Sequence, residues 1–181
     1  AKVHEHVARG LETSVNPERQ AMLSEIETNL NTYIAGFERL VTIKREEDTL
    51  LAETLNPTGV GLATDLKKVR DDAAKAGNSN ALILATTALQ EIMEVRIDVL
   101  KALGGHDEEA AARVEEELAD VETVIAGLDK AVAGTALAAD VEPVDAEIVT
   151  YHEAFTRLYE IDQEVTALAD GEMKTEAEEL G

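Results

Sequence analysis

At 181 residues the chain is long enough for one domain with a sizeable core and too short for two ordinary globular ones. Its hydrophobic share is 45% but its aromatic share only 3%, so the core is Leu, Ile, Val and Ala, and 11 Gly with three Pro are too few for the closely spaced turns of a β-sandwich. The formal charge of −22, from 38 acidic against 16 basic side chains, repels phosphate backbones and excludes nucleic acid as a partner, while the absence of Cys removes disulfides, thiolate-bound zinc and thiol nucleophiles.

The first helical pattern runs from Ala1 to Val15 and opens without Met, in mid-pattern, as an excised piece of a longer protein would. Asn16-Pro17 reads as an N-cap followed by Pro at the first helical position. From Pro17 to Leu55 the only breaker is Gly36, and one helix of that length would reach about 58 Å. Asn56-Pro57-Thr58-Gly59 is expected to end it. A third helix is expected over Val60–Ala76, closed by Gly77-Asn78-Ser79, and a fourth over Asn80–Leu103, closed by Gly104-Gly105. Asp107-Glu108-Glu109 puts acid in the first turn of a fifth, which fades near Gly134, and Pro143 marks the expected start of a sixth. The longest apolar run, about Ala81–Ala85, is far short of the roughly 20 residues that span a bilayer. The chain thus reads as all-α, an elongated antiparallel bundle of about six helices in one domain, 1–181.

Apolar residues alternate three and four apart at Leu23, Ile26, Leu30, Tyr33, Phe37 and Leu40, and again at Ile148, Tyr151, Phe155, Leu158, Val165 and Ala169. These seams are copies of each other. At an offset of 118, residues 32–50 fall on 150–168 with eight of nineteen positions identical, including Tyr-x3-Phe-x-Arg-Leu, which a shared helical period alone does not produce. The internal repeat covers about 29–55 and 147–173.

Both copies interrupt the seam with a charge at the same place, Lys44 and Asp162. Such a charge needs a partner on a neighbouring helix, partial exposure, or a solvated pocket between helices. Arg96, in Ile92-Met93-x2-Arg96-x2-Val99-Leu100, sits on or beside the stripe of the fourth helix, where a guanidinium either reaches the surface or clamps a carboxylate. Catalytic and metal chemistry find no foothold. None of His4, His6, His106 or His152 has a Glu three positions before it, as a di-iron bundle requires, and there is no phosphate loop, H-E-x-x-H or nucleophile elbow. No catalytic residue, metal ligand or cofactor is assigned.

The two Tyr-x3-Phe helices, the Leu55-Asn56-Pro57-x-Gly59 segment and the Met93-x2-Arg96 helix together resemble the helical bimodular sensory domain of methyl-accepting chemotaxis transducers, over about Arg19–Met173. The resemblance implies six helices stacked as two four-helix modules, and an extracytoplasmic, periplasmic location between two membrane spans outside this chain. It also implies a homodimer in the intact receptor and recognition of small molecules, organic acids among them. Carried over, the ligand contacts are Arg96, Tyr33 and Tyr151 with the polar position held by Lys44 or Asp162, although the acidic Asp162 disfavours a carboxylate at its level. Six helices with a reversal at each break would return both termini to one end, as an ectodomain between two spans requires. A sensor histidine kinase and a structural or adaptor bundle binding protein partners are the alternatives.

Overall fold

Helix is the dominant outcome in the computed structural model, which describes residues 2–172 and 174–175, and no strand occurs among them. The elements are α1 (Lys2–Thr13), α2 (Pro17–Thr49), a π-helical segment (Leu50–Leu55), α3 (Asn56–Ala76), α4 (Ser79–Gly105), α5 (Glu108–Val132), α6 (Ala138–Ala167) and a second π-helical segment (Leu168–Glu172). None of the helices is long and apolar enough to cross a membrane, among the described residues.

The caps follow the local sequence. Asn16 Oδ1 accepts from the Glu18 and Arg19 amides ahead of Pro17, Asn78 Oδ1 accepts from the Ala81 amide, and Asp107 Oδ1 from the Ala110 amide. Gly77 takes φ 69°, so the Asn78 amide donates back to the Ala73 carbonyl and closes α3.

Three expected boundaries are corrected. The helix does not end at Asn56-Pro57-Thr58-Gly59: Thr49 and Asn56 both have helical backbone angles, and the chain is helical without interruption from 17 to 76. Pro57 has no N–H and its ring would meet the carbonyl four residues back in an α-helix. The π segment just before it re-registers the backbone, with the Asn56 N–H donating to the Leu51 carbonyl five residues back. The described chain therefore has five continuous helical runs, and the even count that argued for both termini at one end loses its basis. Gly104-Gly105 does not close α4 either. Both residues lie inside it, and His106 supplies the left-handed cap at φ 50°, with its Nδ1 at 2.6 Å from Asp162 Oδ1. Finally, α6 starts at Ala138 and carries Pro143 in its interior, five residues further on.

The chain divides into two compact units, one of residues 47–162 and one of residues up to 46 with those from 163 onward. In the first, the stretch from Glu47 through α3 packs with α4, α5 and α6 around one core that includes Leu62, Leu66, Ile92, Leu118, Ile125 and Phe155. Each such side chain contributes about 1.5–3 kcal/mol by leaving water. Neighbours run antiparallel. Lys68 pairs with Asp140, Arg113 Nε donates to Asp98 Oδ2 at 3.2 Å, and His152 on α6 bonds Glu115 and Glu122 on α5. Asn78 Nδ2, at the start of α4, donates to the Ala131 carbonyl near the end of α5. Ala81, Ala85 and Ala88 form the buried stripe of α4, small enough for close helix approach.

In the other unit α1 lies antiparallel on α2. His4 Nε2 meets Asn31 Oδ1 at 2.6 Å, Gly10 sits against Leu23, and Val7, Ile43 and Leu168 are its buried hydrophobics among the described residues. The expected α2 seam is only partly covered: Leu23, Ile26, Leu30, Tyr33 and Leu40 are half-buried and Phe37 is exposed.

Candidate functional site

The π segment decides where a cavity opens. Because the backbone is widened over Leu50–Leu55, the turns that carry Glu47, Leu51, Leu55 and Asn56 stand opposite Met93, Arg96, Ile97 and Leu100 on α4. Between them lies a half-open cavity of about 710 Å³, lined as well by Leu103 and Gly104 and by Tyr151 from α6. Its walls are mainly aliphatic, the usual make-up of a small-molecule pocket with a few fixed polar groups.

Two of those polar groups are held close together by a glycine. A Cβ placed on Gly59 would stand 2.9 Å from Tyr151 Cε2 and 3.3 Å from Arg96 Nε, so only a residue without a side chain lets both reach this point of α3. Tyr151 is 2% exposed, and its burial pushes the phenol up to about 12 against the opposing pull of Arg96, so it stays a neutral O–H donor at any physiological pH. Arg96 is half-buried and, among the described residues, forms no ion pair. A guanidinium at the edge of an aliphatic cavity beside a phenolic O–H is a donor pair suited to an oxyanion.

Arg96 and Tyr151 are thus brought together from α4 and α6, as two of the sequence-derived candidates. The other three are placed elsewhere. Asp162 lies against the His106 ring at the α4–α5 turn, Oδ1 to Nδ1 2.6 Å, and is largely covered, so of the readings open to a charge in the seam it takes the one with a partner elsewhere in the chain. Tyr33 and Lys44 belong to the other unit, half-buried and exposed respectively on α2. Sequence reasoning passed over Leu51, Leu55, Ile97, Leu100 and Leu103. The signal was available: Met93, Ile97 and Leu100 form a second apolar stripe on α4 beside the buried Ile92, Val95 and Val99, so this helix is more apolar around its circumference than one bundle face needs.

Two other clusters bring titratable side chains together. Glu91, Glu94, Glu117 and Asp120 crowd between α4 and α5, where burial first and neighbouring acids second hold Glu91 and Glu117 above the usual carboxylate range. Among the described residues no group of three or more His, Asp or Glu is arranged to hold a metal ion. On the α5–α6 face His152 bonds Glu115 Oε2 at 2.8 Å through Nε2 and Glu122 Oε1 at 3.1 Å through Nδ1. Both acceptors are carboxylates, so both ring nitrogens donate only if the ring is an imidazolium.

Compared with protein-family models, with curated proteins and with solved structures, the chain gives no match in any of the three.

Proposed function

We propose that this chain is the ligand-sensing, extracytoplasmic part of a bacterial transmembrane chemoreceptor, with the cavity at Arg96 and Tyr151 as its small-molecule site. The observation that carries the reading is the Arg96 guanidinium, without an ion pair among the described residues, lining with the buried Tyr151 a cavity of about 710 Å³ inside a helical unit. Organic acids are the ligands this pair suits. A bound acid would bridge the π segment, α4 and α6, and only a ligand that binds one packing of these helices better than another can shift the balance between signalling states. The duplication supports the same reading, because both π segments begin at equivalent repeat positions, Leu50 and Leu168. On this reading the chain comprises six helices stacked as two four-helix modules, lies in the periplasm between two membrane spans, and forms a homodimer in the intact receptor. A histidine kinase in place of the chemotaxis signalling tail would use the same sensing part.

A thermal-shift screen with small organic acids tests the site. A raised melting temperature that vanishes in Arg96→Ala supports it, and a shift that survives the substitution removes Arg96. Two apolar spans and a long heptad-rich tail flanking this segment in the full gene product would support the receptor reading, and a full-length chain lacking both would sink it. One observation favours a second reading, an adaptor bundle: Met93, Ile97 and Leu100 are all exposed on one stripe of α4, a surface suited to a protein partner. Capture of a partner that Leu100→Glu abolishes, with no response to any acid, would decide for the adaptor.

A further inference from the structure

We infer that the cavity takes a monocarboxylate with a medium-length aliphatic body, and discriminates against small dicarboxylates. This rests on the ligand-sensing reading of the same cavity and narrows its ligand class. The lining carries one cation, Arg96, one carboxylate, Glu47, and one amide side chain, Asn56; most of the rest is aliphatic, Leu51, Leu55, Ile97 and Leu100 among it. A single carboxylate on the ligand is met by the Arg96 fork and the Tyr151 O–H. A second carboxylate finds no second cation in the lining: it faces aliphatic walls, the neutral Asn56 amide or the Glu47 carboxylate, and a desolvated charge without an opposite charge is strongly disfavoured. The field of the chain points the same way, because a formal charge of −22 repels a dianion twice as strongly as a monoanion.

The aliphatic walls supply what a dicarboxylate cannot use. Met93, Ile97 and Leu100 are exposed at the mouth, and an alkyl chain laid along them from a carboxylate at Arg96 removes both its own surface and theirs from water. Each methylene so covered tightens binding by about three- to fourfold, so affinity rises by about tenfold from hexanoate to octanoate. A cavity of about 710 Å³ has room for such a chain.

The test is isothermal titration calorimetry of the full chain with sodium hexanoate, sodium octanoate, octan-1-ol and sodium succinate, all below micellar concentrations. Octanoate is expected to bind one to one, with succinate at least about tenfold weaker because its second charge lacks a partner. Arg96→Met is expected to weaken octanoate by about tenfold or more while leaving octan-1-ol unchanged, since only the charge-assisted hydrogen bonds are lost. Leu100 is 72% exposed, so Leu100→Glu leaves the fold in place and is expected to abolish octanoate binding by putting an anion beside the alkyl path. Succinate binding as tightly as octanoate, or octanoate unaffected by both substitutions or bound at many equivalent sites, would overturn the ligand class and leave the sensing reading standing. If no organic acid of either kind binds, the two fall together.

Discussion

In the second copy of the repeat Tyr151 is 2% exposed and Phe155, Leu158 and Ile161 are buried, whereas in the first copy Phe37 is 52% exposed and Tyr33 and Leu40 are half-buried. The motif and the helical spacing are the same, so neither can be the cause. The second copy lies on α6, inside a unit where α3, α4 and α5 each bring an apolar face. The first lies on α2, whose own unit offers, among the described residues, only α1, a helix of 12 residues, and the short stretch from 163 onward at the end of α6. A seam of large apolar residues is an offer of burial, and the neighbouring helices decide how far it is taken up.

The largest expected effect follows directly. Phe155→Ala, at a fully buried position, is expected to cost about 3–5 kcal/mol, while Phe37→Ala is expected to cost under about 1 kcal/mol, both by urea denaturation. Equal losses would break the comparison, since they would mean that something covers Phe37 in solution.

Glycines sharpen it next. In Gly10→Ala the new methyl would meet the end of the Leu23 side chain at 3.0 Å, which can rotate away, so the helix-propensity gain of about 0.5–1 kcal/mol is expected to survive in part. In Gly59→Ala the methyl would meet the Tyr151 ring at 2.9 Å, and that ring belongs to a residue only 2% exposed, so a loss of about 1–3 kcal/mol is expected. Thermal melts of the two variants should therefore move in opposite directions, and Gly59→Ala should also weaken any ligand held by Arg96 and Tyr151. A neutral Gly59→Ala with unchanged binding would show that the close approach at this glycine does not position the site.

Acidity acts on the better-packed unit. Burial works to lower the His152 pKa, but its bonds to Glu115 and Glu122 outweigh that and hold the ring above the usual histidine range. A raised folded pKa means stability that is full below the unfolded value of about 6.5 and is lost as pH rises through the folded one. Glu147 and Asp145 are raised mainly by burial, then by Asp65 and Asp129 respectively, and Glu91 and Glu117 are raised as well, so these acids also favour the folded state more as pH falls. The melting temperature is therefore expected to be higher at pH 5.5 than at pH 8. His152→Gln should remove about 0.5–1 kcal/mol at the lower pH and little at the higher. A pH-independent difference between the variant and the wild type would show that the imidazolium is not what joins α5 to α6.

Much of this architecture was legible in the sequence. Asn16-Pro17, Gly77-Asn78 and Asp107 marked their helix ends correctly, because each cap is a local hydrogen bond between a side chain or a left-handed residue and the next turn. Arg96 stood out in the sequence as a cation beside an apolar stripe, whereas Tyr151 entered as a ligand contact only through the family resemblance. What misled was punctuation whose meaning depends on context. Asn56-Pro57-Thr58-Gly59 looks like a turn, but a π register upstream accommodates the proline and Gly59 makes room for Tyr151 and Arg96. Gly104-Gly105 looks like a stop, yet the cap falls on His106, whose ring finds Asp162 more than fifty residues away. Long-range partners of this kind leave no local trace, and the aliphatic walls of the cavity were hidden for the same reason.

The smallest expected effect belongs to the repeat-equivalent pair Arg39 and Arg157. Arg39 meets Glu164 at 3.5 Å, and Arg157 meets Glu160 at 3.2 Å one helical turn on. If the seams differ because of apolar neighbours alone, the charges flanking them should matter little in either copy. Arg39→Gln is expected to cost under about 0.5 kcal/mol, and 0.5 M salt, where screening shortens to about 4–5 Å, should erase most of that. A loss of more than about 1 kcal/mol that persists in salt would mean that the half-covered seam of α2 depends on its ion pair, and that charge makes up there for part of the burial that Phe37 does not achieve.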